Sequence, residues 1–207
     1  MKPIAFEDLL PIVAERGKAG RSITAIAGPP GAGKSTLAEE LVDALNAADP
    51  GSAAVFPMDG YHYDDMVLVP RGLRPRKGTP ETFDVAGFGH MLARLKANMD
   101  AEIAVPVFDR SIEIARAGAR MIPQTVRHLA VEGNYILLNK GDWRALHQLY
   151  DTTVLIDVAE DELRRRLSER WKDLEPDAFA YKLDVNDLPN GRLVKTESVQ
   201  PEFVVRQ

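Results

Sequence analysis

The sequence predicts a single α/β domain over residues 1–207, in which a mainly parallel, five-stranded sheet lies between two layers of helices. Short apolar and β-branched runs alternate with segments whose apolar residues recur at helical spacing, a pattern typical of parallel strands joined by crossover helices. The strands are expected at residues 22–26, 53–58, 126–131, 153–158 and 202–205. The chain is long enough to bury a substantial core, and no internal repeat is evident.

A helix is predicted before the first strand. Residues 5–16 place apolar side chains such as Leu9 and Val13 on one face, which should pack against the sheet. We expect Pro11 to interrupt or bend this helix, because proline lacks the backbone N–H that the helix needs. The glycines of GKAG, at residues 17–20, should end it.

A glycine-rich turn then joins the first strand to a helix that starts near residue 34. The turn fits G-x-x-x-x-G-K-[ST] at every defined position. The predicted nucleotide contacts are Gly28, Pro29, Pro30, Gly31, Ala32, Gly33, Lys34, Ser35 and Thr36. A turn that only connects a strand to a helix is the alternative. Because both flanking elements of a nucleotide-binding loop are present, the sequence favours the P-loop NTPase fold.

These residue types suit the phosphates of a nucleotide. Glycines let successive backbone N–H groups turn towards a phosphate, and the helix N-terminus adds the positive end of its dipole. Lys34 can reach the β- and γ-phosphates, and the Ser35 hydroxyl can ligate Mg²⁺.

Two carboxylates follow predicted strands. Asp59 comes directly after the second strand, which we place beside the first, and Glu132 comes directly after the third. The carboxyl ends of parallel strands form the ligand-binding edge of such a sheet. Asp59 is therefore a candidate base, with a turn aspartate before Gly60 as the alternative. Glu132 is a candidate acid for Mg²⁺ or its water shell.

The middle of the chain is less regular. Residues 66–83 lack periodicity and contain the cations Arg71, Arg74, Arg76 and Lys77. This run is either a solvated loop or a flap over an anionic ligand, and the sequence favours neither. Asp84 then resembles the N-cap of an amphipathic helix, and residues 103–108 form a short extended segment.

Two arginines lie on the helix predicted at residues 160–171. At about 100° per residue, Arg170 falls within the apolar sector and Arg166 on its border. Arginines on a buried side need an anionic partner, which is either the phosphates of ATP or a structural carboxylate. Residues 172–200 are polar and broken by prolines and a glycine, and we expect a small lid there.

Composition excludes several classes of function. The net charge is -5 without a long basic run, which argues against nucleic acid as a partner. The absence of cysteine excludes disulfides, thiolate metal ligands and a cysteine nucleophile, and it suits a cytoplasmic location. We see no signal peptide and no apolar stretch as long as a membrane span, and we expect no membrane partner.

The sequence also contains two motifs of GTP-binding switch proteins. Residues 84–87 fit D-x-x-G, and residues 139–142 fit N-K-x-D. In a switch protein each motif would leave the end of a strand beside the nucleotide loop. Here the first opens an amphipathic helix and the second has no clear strand of its own, so we reject this interpretation.

The chain resembles the phosphoribulokinase and uridine kinase family of P-loop kinases, which includes bacterial-type pantothenate kinases. The resemblance covers nearly the whole chain and is carried by GPPGAGKST, MDGYHYDD, KGTPETFD, PVFDR, VEGNYILL and NDLPNGRLV. The subgroup it resembles is that of the fructose transport-associated kinases, which are similar to nucleoside or nucleotide kinases. KDLEPDAFAYK, at residues 172–182, matches no pattern of the family.

The resemblance implies an ATP- and Mg²⁺-dependent transfer of phosphate to a hydroxyl of a small molecule. It implies Asp59 as the base, Glu132 on the metal side, and phosphate contacts from Arg166 and Arg170. It also implies an adenine-side contact at Asn190. Substrate contacts are expected from Tyr61, His62, Asp109, Arg110, Glu132 and Tyr135.

The acceptor and the class of function stay open at this point. A sugar such as fructose is favoured by the subgroup, and a nucleoside such as uridine or a pantothenate-like compound is the alternative. A nucleotide-binding regulatory protein without phosphotransfer is a third interpretation, which Asp59 argues against. The oligomeric state also stays open, with a homodimer as one alternative.

Overall fold

A computed structural model describes residues 2–207 and consists of a six-stranded parallel sheet, a separate hairpin and surrounding helices. The strands are β1 (Lys2–Pro3), β2 (Ser22–Ala27), β3 (Ala53–Pro57), β4 (Glu102–Asp109), β5 (Ile114–Pro123), β6 (His128–Gly133), β7 (Thr152–Asp157) and β8 (Phe203–Arg206). The sheet order is β1–β8–β7–β2–β6–β3, and every neighbouring pair is parallel.

The helices account for most of the remaining chain. The α-helices are α1 (Phe6–Arg16), α2 (Lys34–Ala48), α3 (Asp65–Leu68), α4 (Val85–Ala97), α5 (Glu160–Arg170), α6 (Pro176–Ala180) and α7 (Leu188–Glu197). Short 3₁₀ helices lie at Met58–Tyr61, Arg74–Arg76, Pro80–Thr82 and Gly141–Leu149, and a π-helical segment lies at Tyr181–Asp187.

The predicted α/β fold is confirmed, and all five predicted strands are present. The sixth, β1, has only two residues, which is too short to leave a pattern in the sequence. Along β2 the side chains alternate between two cores: Ile23 and Ala25 belong to one and Ile26 to the other. The sheet therefore lies between two apolar layers, as in other sheets that are covered on both faces.

The predicted pairing of β3 with β2 is wrong, because β6 lies between them. Glu132 on β6 is in register with Ile26 on β2 and with Pro57 on β3. The carboxylate at the end of β6 is therefore adjacent to the glycine-rich loop, and Asp59 is one strand further away.

The extended segment at residues 103–108 belongs to β4, which pairs with β5 in an antiparallel hairpin outside the main sheet. Strand β5 was not predicted, because most of its side chains are exposed and lack a buried alternating face. The hairpin packs against the 3₁₀ turn Met58–Tyr61, so that its end reaches the carboxyl edge of the sheet.

Helix α1 continues through Pro11 without a break, so the expected interruption is wrong. The buried side chains of Leu9 and Val13 on either side of the proline pack into the core. Asp84 caps α4 as predicted, since its carboxylate accepts a hydrogen bond from the N–H of Gly87.

Residues 172–200 are largely helical, although the sequence there is polar and interrupted by prolines and a glycine. Pro176 lies in the first turn of α6, where a missing backbone N–H costs nothing, and Pro189 lies just after the π-helical segment. Gly191 lets α7 approach the glycine-rich loop, because a Cβ at this position would lie 3.3 Å from the Cβ of Pro29. Together with Arg170 and Trp171 at the end of α5, this segment forms the lid over the carboxyl edge of the sheet.

No helix within residues 2–207 is both long enough and apolar enough to cross a membrane.

Gly60 permits the close contact between the turn after β3 and the hairpin. A Cβ on Gly60 would lie 2.5 Å from the carbonyl oxygen of Pro106. We expect Gly60→Ala to lower the free energy of unfolding by about 1–3 kcal/mol, because rigid backbone must move to accommodate it. Gly89→Ala is the control, since its Cβ would meet only the end of the Leu146 side chain, at 3.0 Å. Equal urea midpoints for the two variants would contradict this account.

Candidate active site

A cavity of about 330 Å³ lies at the carboxyl edge of the sheet, between the glycine-rich loop, the hairpin and the lid. Both carboxylates that follow strands, Asp59 and Glu132, line this cavity, together with Lys34. The position agrees with the general rule that open α/β sheets bind ligands at the carboxyl ends of their strands.

The glycine-rich loop has the backbone conformation that a phosphate cradle requires. Gly31 and Gly33 have φ angles of +79° and +83°, which side chains with a Cβ rarely adopt. Gly33 is also the N-cap of α2, so the positive end of this helix faces the cavity. Residues 30–31 and 33–36 line the cavity directly.

Lys34 is buried at the base of the cavity. Its Nζ donates a hydrogen bond to the carbonyl oxygen of Pro29, at 2.9 Å. Burial lowers the pKa of Lys34 to about 8, although the carboxylates of Glu132 and Asp59 act in the opposite direction. An anionic ligand would stabilise the charged ammonium, as the phosphates of a nucleotide do.

Glu132 is a buried carboxylate whose charge is only partly compensated. Burial, together with the negative charge of Asp59, raises the pKa of Glu132 to about 7, against the opposing effects of Lys34, Arg110 and a hydrogen bond from Ser35. A divalent cation beside Ser35 and Glu132 would stabilise the ionised form.

The residues present therefore fit Mg²⁺. Residues 2–207 contain no cluster of three or more histidine, aspartate or glutamate side chains that could enclose a metal alone. This agrees with the usual way in which Mg²⁺ accompanies nucleotides, held by one or two protein oxygens, water and phosphate.

Asp59 faces the cavity and forms an ion pair with Arg110, in which the Nη2 to Oδ2 distance is 2.5 Å. The side chain of Arg110 is 60% exposed and that of Asp59 is 21% exposed, so water reaches both partners. His62 follows on the same turn, with Nδ1 2.8 Å from the carbonyl oxygen of Asp59. Burial lowers the pKa of His62, which favours the neutral imidazole.

Aromatic rings form one wall of the cavity near Asp59. The His62 ring lies 4.0 Å from the centroid of Phe83 and 4.7 Å from that of Phe108. All three side chains line the cavity.

The charged run at residues 71–77 was predicted to be either a solvated loop or a flap over a ligand, and the structure shows features of both. Lys77 points inward and lines the cavity, with Nζ 2.9 Å from Asp65 Oδ1 and 2.8 Å from the carbonyl oxygen of Glu113. The arginines of the run are solvated: Arg71, Arg74 and Arg76 are all exposed or half-buried at the surface.

Seven of the predicted contact residues do not line the cavity: Gly28, Pro29 and Ala32 of the glycine-rich loop, and Tyr61, Asp109, Tyr135 and Asn190. Tyr61 packs edge-on against Phe56 and Phe88, and the Tyr135 hydroxyl donates to the carbonyl oxygen of Gly78 at 2.6 Å. These tyrosines therefore support the cavity walls from behind.

Asp109 and Asn190 are also directed elsewhere. Asp109 lies in a separate groove on the hairpin, where it pairs with Arg116 at 3.1 Å. Asn190 is buried in the lid and donates to Asn186 Oδ1 at 3.0 Å, so it positions a residue of the lining.

Arg166 and Arg170 both line the cavity, which agrees with the helical angles. The expected burial of Arg170 is wrong: Arg170 is exposed and Arg166 is half-buried, because the side of α5 that they occupy faces the open cavity. Arg166 bonds to Glu162 at 2.7 Å and to the side chain of Gln207 at 3.0 Å. Arg166 therefore has a carboxylate partner within the protein, Glu162. No carboxylate within residues 2–207 lies within 4.0 Å of Arg170.

Several lining residues were missed by the reasoning from sequence. The lid contributes Trp171, Lys182, Asn186 and Asp187. Asn186 and Asp187 begin NDLPNGRLV, one of the segments that carry the family resemblance, and this match could have indicated them.

Comparisons with known proteins identify the family. No family model matches the chain. A protein of Schizosaccharomyces pombe, described as a candidate uridine kinase, is 33% identical over 198 residues, which are 90% of this chain and 83% of the relative. The chain belongs to the phosphoribulokinase, uridine kinase and pantothenate kinase family of P-loop kinases.

Two further proteins that are similar to this P-loop kinase carry other descriptions. A solved structure from Silicibacter sp., described as that of a candidate fructose transport system kinase, has a TM-score of 0.89 and 39% identity, and covers 97% of this chain and 98% of that one. A pantothenate kinase of Myxococcus xanthus is 31% identical over 76% of this chain but only 51% of its own length. The chain thus spans about half the length of the pantothenate kinase.

Family membership confirms that the protein is an ATP-dependent small-molecule kinase, and kinases of this family use ATP with Mg²⁺. It agrees with the rejection of the GTP-binding switch.

The raised pKa of Glu132 predicts a pH dependence of stability. Between about pH 4.5 and 7 the folded protein retains a proton that the unfolded chain releases, so ionisation of Glu132 lowers the free energy of unfolding as the pH rises. Glu132→Gln removes this effect. The measured quantity is the free energy of unfolding of Glu132→Gln minus that of wild type, in a buffer with a chelator and without nucleotide. We expect this difference to be about 1–3 kcal/mol larger at pH 7.5 than at pH 5. Urea unfolding at both values tests this, and parallel changes in the two proteins would contradict it.

Proposed function

We propose that the protein transfers the γ-phosphoryl group of ATP to a hydroxyl group of a sugar such as fructose. The observation that carries the proposal is the shared cavity, in which Asp59 faces the same space as the glycine-rich loop and Lys34. A hydroxyl bound at Asp59 would lie beside the terminal phosphate of a nucleotide held by the loop.

One set of residues would bind ATP and Mg²⁺, and a second set, around Asp59, would bind the acceptor. Lys34, Gly31 and Gly33 hold the phosphates, and Arg166 and Arg170 approach them from α5. Ser35 and Glu132 would hold Mg²⁺, which when bound neutralises charge on the β- and γ-phosphates.

Asp59 accepts the proton of the acceptor hydroxyl in this proposal. Its present partner is Arg110, but an ion pair with such an exposed arginine contributes little free energy, and a substrate hydroxyl can compete with it. Arg110 then orients the carboxylate, and the neutral His62 imidazole supports the same turn.

Two features support a sugar as the acceptor. The wall beside Asp59 combines polar groups with the faces of Phe83 and Phe108, an arrangement that binds the polar edges and apolar faces of a sugar ring. In addition, the Silicibacter structure, which is 39% identical, is described as that of a candidate fructose transport system kinase.

A nucleoside is the second candidate acceptor, because the same rings could stack on a flat base. The S. pombe relative is described as a candidate uridine kinase. Pantothenate is the third, on the basis of the M. xanthus relative, which this chain matches over half of its length.

Acceptor specificity can be measured directly. ADP formation should be followed with ATP and Mg²⁺ against fructose, other sugars, uridine and pantothenate, with acceptor-free ATP hydrolysis subtracted. We expect the highest kcat/KM for a sugar. Turnover of uridine or pantothenate with inert sugars would establish the alternative acceptor. ATP binding without turnover of any acceptor would favour a regulatory function.

Asp59→Asn tests the base. The substitution keeps the shape of the side chain but removes its ability to accept the proton, so we expect kcat to fall by about 10²–10⁴-fold, with the affinity for ATP nearly unchanged. Asp64→Asn is the matched control, because Asp64 caps α3, off the cavity, and asparagine caps a helix equally well. Wild-type turnover by Asp59→Asn would show that another group takes the proton.

A further inference from the structure

We infer that Trp171 is a platform that holds two lid cations, Arg170 and Lys182, over the phosphate site, and that Asp187 fixes this platform in place. The inference rests on the proposed function, since the phosphates of ATP are the groups that the cations would contact. Trp171 and Asp187 act on ATP through the cations, as positioning residues.

The indole ring of Trp171 contacts both cations. The guanidinium carbon of Arg170 lies 5.5 Å from the ring centroid, and Nζ of Lys182 lies 5.0 Å from it. Cations within about 6 Å of an indole centroid are attracted by the negative face of the ring, and tryptophan gives the strongest such contacts. The ring and both cations line the cavity, so the contacts direct positive charge towards it.

Asp187 determines where the ring lies. The Nε1–H of Trp171 donates to Asp187 Oδ2 at 2.8 Å. Asp187 is only 6% exposed and belongs to the π-helical segment of the lid, so its carboxylate has a fixed position. Because an indole has a single hydrogen-bond donor, this bond to a charged acceptor restricts rotation of the ring.

Arg170 needs such a platform more than its neighbours on α5 do. Arg164 pairs with Asp184 at 2.8 Å, and Arg165 and Arg166 both pair with Glu162 at 2.7 Å. Within residues 2–207, Arg170 has no carboxylate at ion-pair distance. A long side chain without a partner samples many rotamers, and ordering it on a phosphate costs conformational entropy. Contact with the ring removes part of this cost before ATP binds.

A purely structural role for Trp171 is the competing explanation. Its ring also packs against the core cluster that contains Leu163 and Leu167, so its loss could merely loosen the lid. The two explanations differ in the property that changes: a structural role alters the unfolding transition, whereas the platform alters the affinity for ATP at temperatures where the protein is fully folded.

The test measures binding of MgATP to the whole chain without an acceptor, by calorimetry at 20–25 °C, well below the unfolding transition. Trp171→Leu removes the ring and should weaken binding about tenfold, and Trp171→Phe, which keeps a weaker aromatic face, about threefold. Asp187→Ala should resemble Trp171→Phe. Asp187→Asn should stay within about twofold of wild type, because its amide oxygen still accepts from the indole.

Two controls match these variants. Lys172→Gln removes an exposed lid cation that pairs with Glu169 and does not line the cavity, whereas Lys182→Gln removes one that does. Trp143→Phe leaves Trp171 as the single tryptophan of the chain, so that its fluorescence can be followed alone. We expect MgATP to change this fluorescence, and Lys172→Gln to bind ATP as wild type does.

A double-mutant cycle shows whether Trp171 acts through the cations. In an Arg170→Gln background, Trp171→Leu should weaken binding by only about threefold, and in Arg170→Gln/Lys182→Gln it should have no further effect. Full additivity would overturn the inference. So would wild-type affinity in Trp171→Leu combined with a lowered melting temperature, or a large loss in Asp187→Asn.

The outcomes also separate this inference from the proposed function. If ATP binds with the predicted coupling but no acceptor is phosphorylated, only the proposed function fails. If acceptors are phosphorylated and the coupling is absent, only the platform fails. If Trp171→Leu does not fold, Trp171→Phe and Asp187→Ala decide the question by the same measurements.

Discussion

The site depends on the electrostatic balance between the buried ammonium group of Lys34 and the carboxylates of Glu132 and Asp59. All three charges share one small cavity in which water can compensate them only in part. Burial therefore lowers the pKa of Lys34 and raises that of Glu132. A triphosphate and a divalent cation together supply the opposite charges that both groups lack. The cavity thus favours the pair of ligands that kinases of this family use.

The order of the strands in the sheet brings these three charged groups to the same cavity. Because β6 lies between β2 and β3, Glu132 ends its strand next to the glycine-rich loop, while Asp59 stands one strand further on, at the place where an acceptor would bind. Elements outside the main sheet complete the cavity: the hairpin contributes Arg110 and Phe108, and the lid contributes Trp171. In the proposed function, the main sheet and the glycine-rich loop form the nucleotide side of the cavity, and segments attached to the edge of the sheet form the acceptor side.

Local patterns in the sequence predicted much of this structure. The apolar runs identified the five longer strands of the sheet, and the spacing around Lys34 identified the loop, because both signals depend on residues close together in the chain. Strand order, by contrast, depends on which surfaces pack together, and nothing near Asp59 shows that β6 separates its strand from β2. Lys77 faces inward only because Asp65 and Glu113 come close to it in the fold.

The central claim is that Lys34 binds the phosphates of ATP. Calorimetric titration of MgATP into wild type and Lys34→Ala tests it most directly, with urea unfolding to verify that the variant is folded. Because Lys34 Nζ hydrogen-bonds only to the carbonyl oxygen of Pro29 within residues 2–207, its loss should leave the fold intact. The account predicts an affinity at least about tenfold weaker in the variant, since a buried charge-assisted contact is lost. Equal affinity in the two folded proteins would contradict it.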